Sequence, residues 1–111
     1  MKIKFTPARI DEQLTASVVD ADKLILNGEE LDFTPLFEGE TIESSDVGNK
    51  WVSGAVSRTD GELYIILVVP HGHNAPYETR FPSPDYITVG VGTVPVPVYD
   101  VEPVEVTTDG N

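Results

Sequence analysis

The stretch KWVSGAVSRTDGELYIILVV, residues 50–69, decides the fold class. Asp60-Gly61 sits between two strand-like runs and signals a tight β-turn, because Asn/Asp-Gly pairs accept the positive φ values such turns require. A two-residue loop pairs Arg58 with Leu63, Val56 with Ile65 and Val52 with Val69. Trp51, Ser53, Ala55 and Ser57 then share one face, and Val52, Gly54 and Val56 share the other. The return strand is apolar on both faces, with Leu63, Ile65, Leu67 and Val69 on one and Tyr64, Ile66 and Val68 on the other. Such a strand belongs in the middle of a sheet with cover on both sides. The cover is either a second layer of sheet or another subunit.

Upstream, LILNGEELDF, residues 24–33, repeats the turn chemistry at Asn27-Gly28. A two-residue loop there pairs Leu26 with Glu29, Leu24 with Leu31 and Asp22 with Phe33. Leu24, Leu26, Leu31 and Phe33 form one apolar face, and Lys23 opposes Asp32 on the other. LTASVVD, residues 14–20, extends this sheet. MKIKF reads as an edge strand whose lysines discourage edge pairing. FTPLFEGETIESSD reads as a loop anchored by Phe33, Leu36, Phe37 and Ile42. Helix is scarce: PARIDEQL and SSDVGNKW each supply at most a short turn, the second capped by Ser45 or Asp46 and stopped by Gly48.

The expected architecture is mainly β. Two hairpins build small antiparallel sheets in a partly open sandwich or barrel with little helix. A chain of 111 residues is one domain. Its boundaries are read as a β-rich body over 1–90 and an extended Val/Pro-rich acidic tail over 91–111. After Arg80 there is no base. The alternation of Val with Gly and Pro suits sheet edges or polyproline-like chain. A mobile tail is the expectation. An arm with Val94, Val96 and Val98 facing one way, docked on a partner's sheet edge, is the alternative.

Nineteen acids against seven bases give a net charge of −12. That charge disfavours nucleic acid and anionic membranes, and it permits a basic partner. No cysteine is present, which excludes disulfides and thiolate metal sites. The longest apolar run, LYIILVVP, falls short of the ~20 residues that span a bilayer. The start of the chain carries no signal-peptide core, so a soluble protein without an export signal is expected.

The busiest segment is VVPHGHNAPYETRFP, residues 68–82, which holds both histidines. His71 and His73 are spaced to chelate from one strand face, with Glu78 or Asp85 as the nearest third ligand in sequence. Gly72 between them and the lack of a His-Glu-x-x-His pattern argue against a metal, and no metal or cofactor is expected. A Ser53–His71–Asp85 set is available but unsupported by any nucleophile motif, so no catalytic residue is assigned. The simpler reading is a rigid connector. Pro70 ends the central strand, Gly72 permits a bend, Asn74 holds a turn, Glu78 and Arg80 tie the segment down, and Tyr77 and Phe81 anchor it on the core. His71, His73, Asn74, Tyr77, Glu78, Arg80 and Phe81 together make a candidate contact surface.

NGEELDFTPLFEGETI followed by WVSGAVSRTDGELYIILVVPHGHNAPYETRFPSP resembles a set of small phage and prophage proteins. They share a short hairpin, an F-T/S-P-L loop, an R-x-D-G-x-L turn and a PHG-x-NAP-x-E-x-x-F-P segment. The resemblance covers roughly residues 24–84 and excludes the Val/Pro tail. Such proteins are encoded near tail genes and their function is generally unassigned. The resemblance implies a phage or prophage origin and a structural or assembly role in the tail module. It also implies tail or assembly proteins as partners, and residence in the host bacterial cytoplasm or the virion. It implies no chemistry. The alternatives are a small metal- or ligand-binding enzyme centred on His71 and His73, or an acidic decoy that inhibits a basic host protein.

One face of the strand Leu63–Val69 is worth about 5–10 kcal/mol when buried. Leaving it wet is therefore a poor solution for a domain this small. The expectation is a monomer, in preference to a homodimer, with the loop aromatics and the YETRF segment as the second layer.

Overall fold

Asn27 and Gly28 take φ values of 48° and 86° in the computed structural model, the left-handed backbone a type I′ turn needs. Strands β3 (Lys23–Leu26) and β4 (Glu29–Asp32) pair around them in the expected register, Leu26 opposite Glu29 and Leu24 opposite Leu31. Phe33 N–H closes the ladder on Asp22 C=O at 2.7 Å. The Asn27 side chain also works at longer range. Its Oδ1 accepts from Thr15 N–H at 2.7 Å and Thr15 Oγ1 at 3.1 Å, and its Nδ2 donates to Gln13 C=O at 3.0 Å. Asn27→Ala, which strains the turn and removes these bonds, is expected to cost about 2 kcal/mol. Asn27→Gly keeps the turn and loses only the bonds, about 1 kcal/mol. Urea unfolding of both variants separates the two contributions, and two wild-type midpoints would show that these links carry no weight.

The structure describes residues 1–100. Among them, the remaining strands are β1 (Lys2–Arg9), β2 (Ala16–Asp20), β5 (Thr41–Glu43), β6 (Val52–Thr59), β7 (Glu62–His71), β8 (Ile87–Thr88) and β9 (Gly92–Thr93). One sheet has the order β5-β6-β7-β1-β8 and the other β4-β3-β2-β9. The chain is mainly β, as expected, and the two sheets do not close into a barrel. Their inner faces share one core. Ile3, Val56, Leu63, Ile65 and Leu67 come from the first sheet, and Val18, Leu24, Leu26 and Leu31 from the second. In the second sheet, exposed Asp32 accepts from the Thr34 hydroxyl and from Thr34 N–H. These bonds, with Lys23 opposite, hold its carboxyl below the usual value.

The second hairpin turns at Asp60 and Gly61, with φ values of 53° and 78°. Arg58 opposes Leu63 as expected, but the register then shifts. Ser57 opposes Tyr64 and Ser53 opposes Ile66, so residues 54–56 stand across from Ile65 alone. Val52 therefore faces Leu67, which corrects the expected Val52–Val69 and Val56–Ile65 pairs. Gly54, at φ 64°, absorbs the insertion, since positive φ costs glycine little. The shift is by two residues, so inward and outward positions are preserved, and Val52 and Val56 both stay buried. Trp51 was expected on the opposite face from Val52, yet it is buried in the same core. It precedes β6 in a turn, outside the strand's alternation.

β7 lies at the centre of its sheet, and Leu63, Ile65, Leu67 and Val69 are at most 1% exposed. The layer over Leu63, Ile65 and Leu67 is the second sheet. That corrects the expectation that loop aromatics form it: Phe37, Tyr77 and Phe81 are exposed. Of the FTPLFEGETIESSD stretch, Phe33 is buried and Leu36 and Ile42 pack on the core. Part of this expected loop forms β5 and a helical turn, α1 (Ser44–Val47), with Gly48 left-handed at its end and no side-chain cap at its start.

β1 is longer than expected and runs parallel to β7 over its full length, Lys2 opposite Tyr64 through Arg9 opposite His71. It therefore absorbs Pro7–Arg9, which were expected in a helical turn. Two prolines sit inside these strands for one reason. Val68 N–H points to Trp51 C=O, so even-numbered β7 residues face β6. Pro70 lies on that side beyond the end of β6 and deprives no ladder of a donor. β7 accordingly continues through Pro70 to His71, where the strand had been expected to end. Pro7 likewise aims its nitrogen away from β7.

Residues 91–100, placed in the tail by the sequence, pack on the body. β9 pairs with β2, Val94 N–H bonds Ala16 C=O at 2.9 Å, and Val94 is 2% exposed. Further on, Gly72 N–H donates to Tyr99 C=O at 2.9 Å and Tyr99 Oη to Ile10 C=O at 2.8 Å. The segment is extended, as read, but its dock is an edge of its own chain. Pro95 and Pro97 leave donors on alternate residues only, which suits an edge. Gly72 serves this approach: a Cβ there would stand 2.6 Å from Asp100 Oδ2. Residues 101–111, the rest of the expected tail, lie outside the described residues.

Candidate functional site

From the end of β7 the chain crosses the outer face of the first sheet, through residues 72–86, to reach β8 on the far side of β1. A single helical turn, α2 (Tyr77–Arg80), rests on β1 and β7. Its inward residue is Thr79, 1% exposed, whose hydroxyl donates to Val98 C=O at 2.5 Å. Arg80 Nε donates to Ala75 C=O at 3.2 Å. The turn is thus clamped from inside, and its aromatics point out. Tyr77 and Phe81 are 65% and 59% exposed, with ring centroids 4.8 Å apart. They do not anchor on the core as expected. The Arg80 guanidinium lies 5.7 Å from the Phe81 ring centre, and Glu78 is exposed beside it.

The histidines stand apart from this pair. His71 is half-buried at the end of β7, with Nδ1 3.1 Å from Gly72 C=O, and His73 is exposed. Asn74 is half-buried and makes a contact of its own. Among the described residues, no three His, Asp or Glu side chains gather to hold a metal ion. Ser53 lies opposite Ile66, five strand positions from His71, roughly 16 Å along β7. The fold does not bring that serine and histidine together.

Sequence reasoning missed two residues that hold the loop before β5 and the turn of the second hairpin in place. Arg58 is one. Its side chain, 11% exposed, bonds Asp22 Oδ1 at 2.7 Å, Leu36 C=O at 2.6 Å and Phe33 C=O at 3.0 Å. Glu38 is another, its two oxygens accepting from Asp60 and Gly61 N–H, each at 2.7 Å. The signal for Arg58 was present: a base at an inward-facing position of a strand needs partners.

The distribution of bases is uneven. Lys50 pairs with Glu12, Arg58 with Asp22, and Lys23 lies opposite Asp32. The other bases are Lys2, Lys4 and Arg9 on β1 and Arg80 on α2, and among the described residues none of them pairs with a carboxylate. Lys4 lies 5.1 Å from the centre of the Tyr86 ring, which packs edge-on against Tyr64. A groove of about 490 Å³ separates β1 from residues 80–84, with Ile66 and Ser53 also lining it.

No known protein family, curated protein or solved structure matches the chain. Among the described residues, no helix is long and apolar enough to cross a membrane.

Proposed function

We propose that this chain is a structural or assembly protein of a phage tail module and acts by protein–protein contact. The observation that carries the reading is the exposed Tyr77–Phe81 pair, held on a hydrogen-bonded turn beside an apolar groove. Exposed aromatic patches on clamped supports mark contact surfaces, and aromatic and arginine side chains dominate contact energies. The resemblance over residues 24–84 supports the phage tail setting.

The test is capture by co-encoded tail proteins together with mass spectrometry of purified virions. The chain is expected in the particle or in a complex with a tail protein, and its absence from both contradicts the proposal. A Tyr77→Ala, Phe81→Ala double variant is expected to change folding stability by less than about 0.5 kcal/mol. The same variant should weaken capture by about 2 kcal/mol, roughly thirtyfold. Unchanged capture would move the contact surface elsewhere.

A further inference from the structure

β1 is covered along its whole length on one side and over two residues on the other. β7 pairs with Lys2 through Arg9, whereas β8 pairs with Lys2 and Ile3 alone. Met1 C=O accepts from Val89 N–H at 2.8 Å, which places the backbone groups of odd-numbered residues on the β8 side. Phe5 N–H and C=O, Pro7 C=O and Arg9 N–H therefore line an edge that no described strand occupies. The β8 ladder stops because Asp85 turns its N–H to Ser83 Oγ, at 3.2 Å, instead of to Phe5 C=O. Residues 80–84 stand off from β1, and the space between is the groove that Ile66, Lys4 and Arg80 help to line.

We infer that this groove receives one extended, acidic segment of a partner protein, added to β1 as a further strand. The inference rests on the contact reading above and supplies its recognition chemistry. An unpaired edge gives main-chain hydrogen bonds to an added strand, and pockets beside it read alternate side chains. Here the side-chain reading is electrostatic. Of the five lysines and arginines without a described ion pair, four lie on β1 and α2 and the fifth, Lys23, stands opposite Asp32, in a chain of net charge −12. Acidic side chains meet Lys4 and Arg80, and apolar ones meet Ile66. Exposed Glu78 and Asp85 flank the groove in sequence, and the chain's more distant negative charge is screened beyond about 8 Å at physiological salt, so Lys4 and Arg80 are the charges that line the groove itself. A second copy offering its own β1 would set lysine against lysine, which is unfavourable at facing positions. Nucleic acid is disfavoured by the net charge.

The probe is a short end-blocked peptide of alternating valine and glutamate, titrated into the ¹⁵N-labelled full chain, with a valine–lysine peptide as control. The expected result is amide shifts over residues 4–9 and 80–84 with the glutamate peptide only. Phe5 N–H exchange should slow by about tenfold at saturation. A Lys4→Glu, Arg80→Glu variant should bind about tenfold more weakly or worse. No shifts up to roughly millimolar peptide, or equal binding of the lysine peptide, overturns the inference. So does a Phe5 amide already protected in the chain alone; sedimentation velocity would then show whether a second copy or the chain itself fills the edge. Failure here, with the chain present in virions, leaves the contact reading standing. Peptide binding by a chain absent from particles and tail complexes does the reverse.

Discussion

Arg58→Ala lowers the unfolding free energy by about 3 kcal/mol, because hydrogen bonds to a charged group contribute roughly 1.5–3 kcal/mol each and the carbonyls left behind are poorly solvated. The side chain holds Phe33 and Leu36 C=O and Asp22 together. Its backbone is bound into the same knot, with Gly39 N–H on Arg58 C=O at 2.8 Å and Arg58 N–H on Glu40 C=O at 3.1 Å. Asp22 is 37% exposed, so the ion pair itself adds under about 1 kcal/mol. The carbonyl bonds dominate. Asp22→Asn is therefore expected to cost under about 1 kcal/mol. Arg58→Lys, which keeps the charge but cannot fork between two carbonyls, should fall between. For a domain this size the alanine variant should melt roughly 12–24 °C lower. A loss no larger than that of Asp22→Asn would show that the carbonyl bonds carry no weight.

Val94→Asp is expected to cost about 3 kcal/mol by releasing β9 and Val94 from the edge of β2. Two routes compete. Keeping the aspartate in place buries a carboxylate at a position 2% exposed, and an unpaired buried charge costs far more than a lost apolar contact. Detaching the segment forfeits the Val94 burial, about 1.5–3 kcal/mol, together with the edge bonds to β2. Release is the cheaper route. Hydrogen exchange should therefore speed up at Val94 and along Ala16–Val18 while β6 and β7 stay protected. Wild-type stability and exchange would show instead that this segment is not part of the folded body.

Features set by neighbouring residues were legible in the sequence. Both Gly-containing turns form where their chemistry places them, and the face of Leu24, Leu26, Leu31 and Phe33 is the buried one. Features set by distant partners were not. The parallel pairing of Lys2 with Tyr64 joins residues far apart in the chain, and no local pattern encodes it. The Gly54 insertion obeys strand alternation, so it leaves the hydrophobic pattern intact while moving every pair beyond it. Pro70 looked like a strand breaker because the sequence does not say which side of the strand lacks a neighbour. The expected orientation of residues 77–81 was reversed. The small residue Thr79 points inward, and Tyr77 and Phe81 face solvent. A one-turn helix has too few residues to declare its buried face.

Hydrogen-exchange mass spectrometry of the full chain, alone and mixed with each co-encoded tail protein, tests the central claim most directly. The account predicts that one tail protein slows exchange over residues 4–9 and 77–84, with the sheet of β2, β3 and β4 unchanged. Protection confined to the β4 edge or to the β2–β9 side, or no protection with any tail protein, would contradict it.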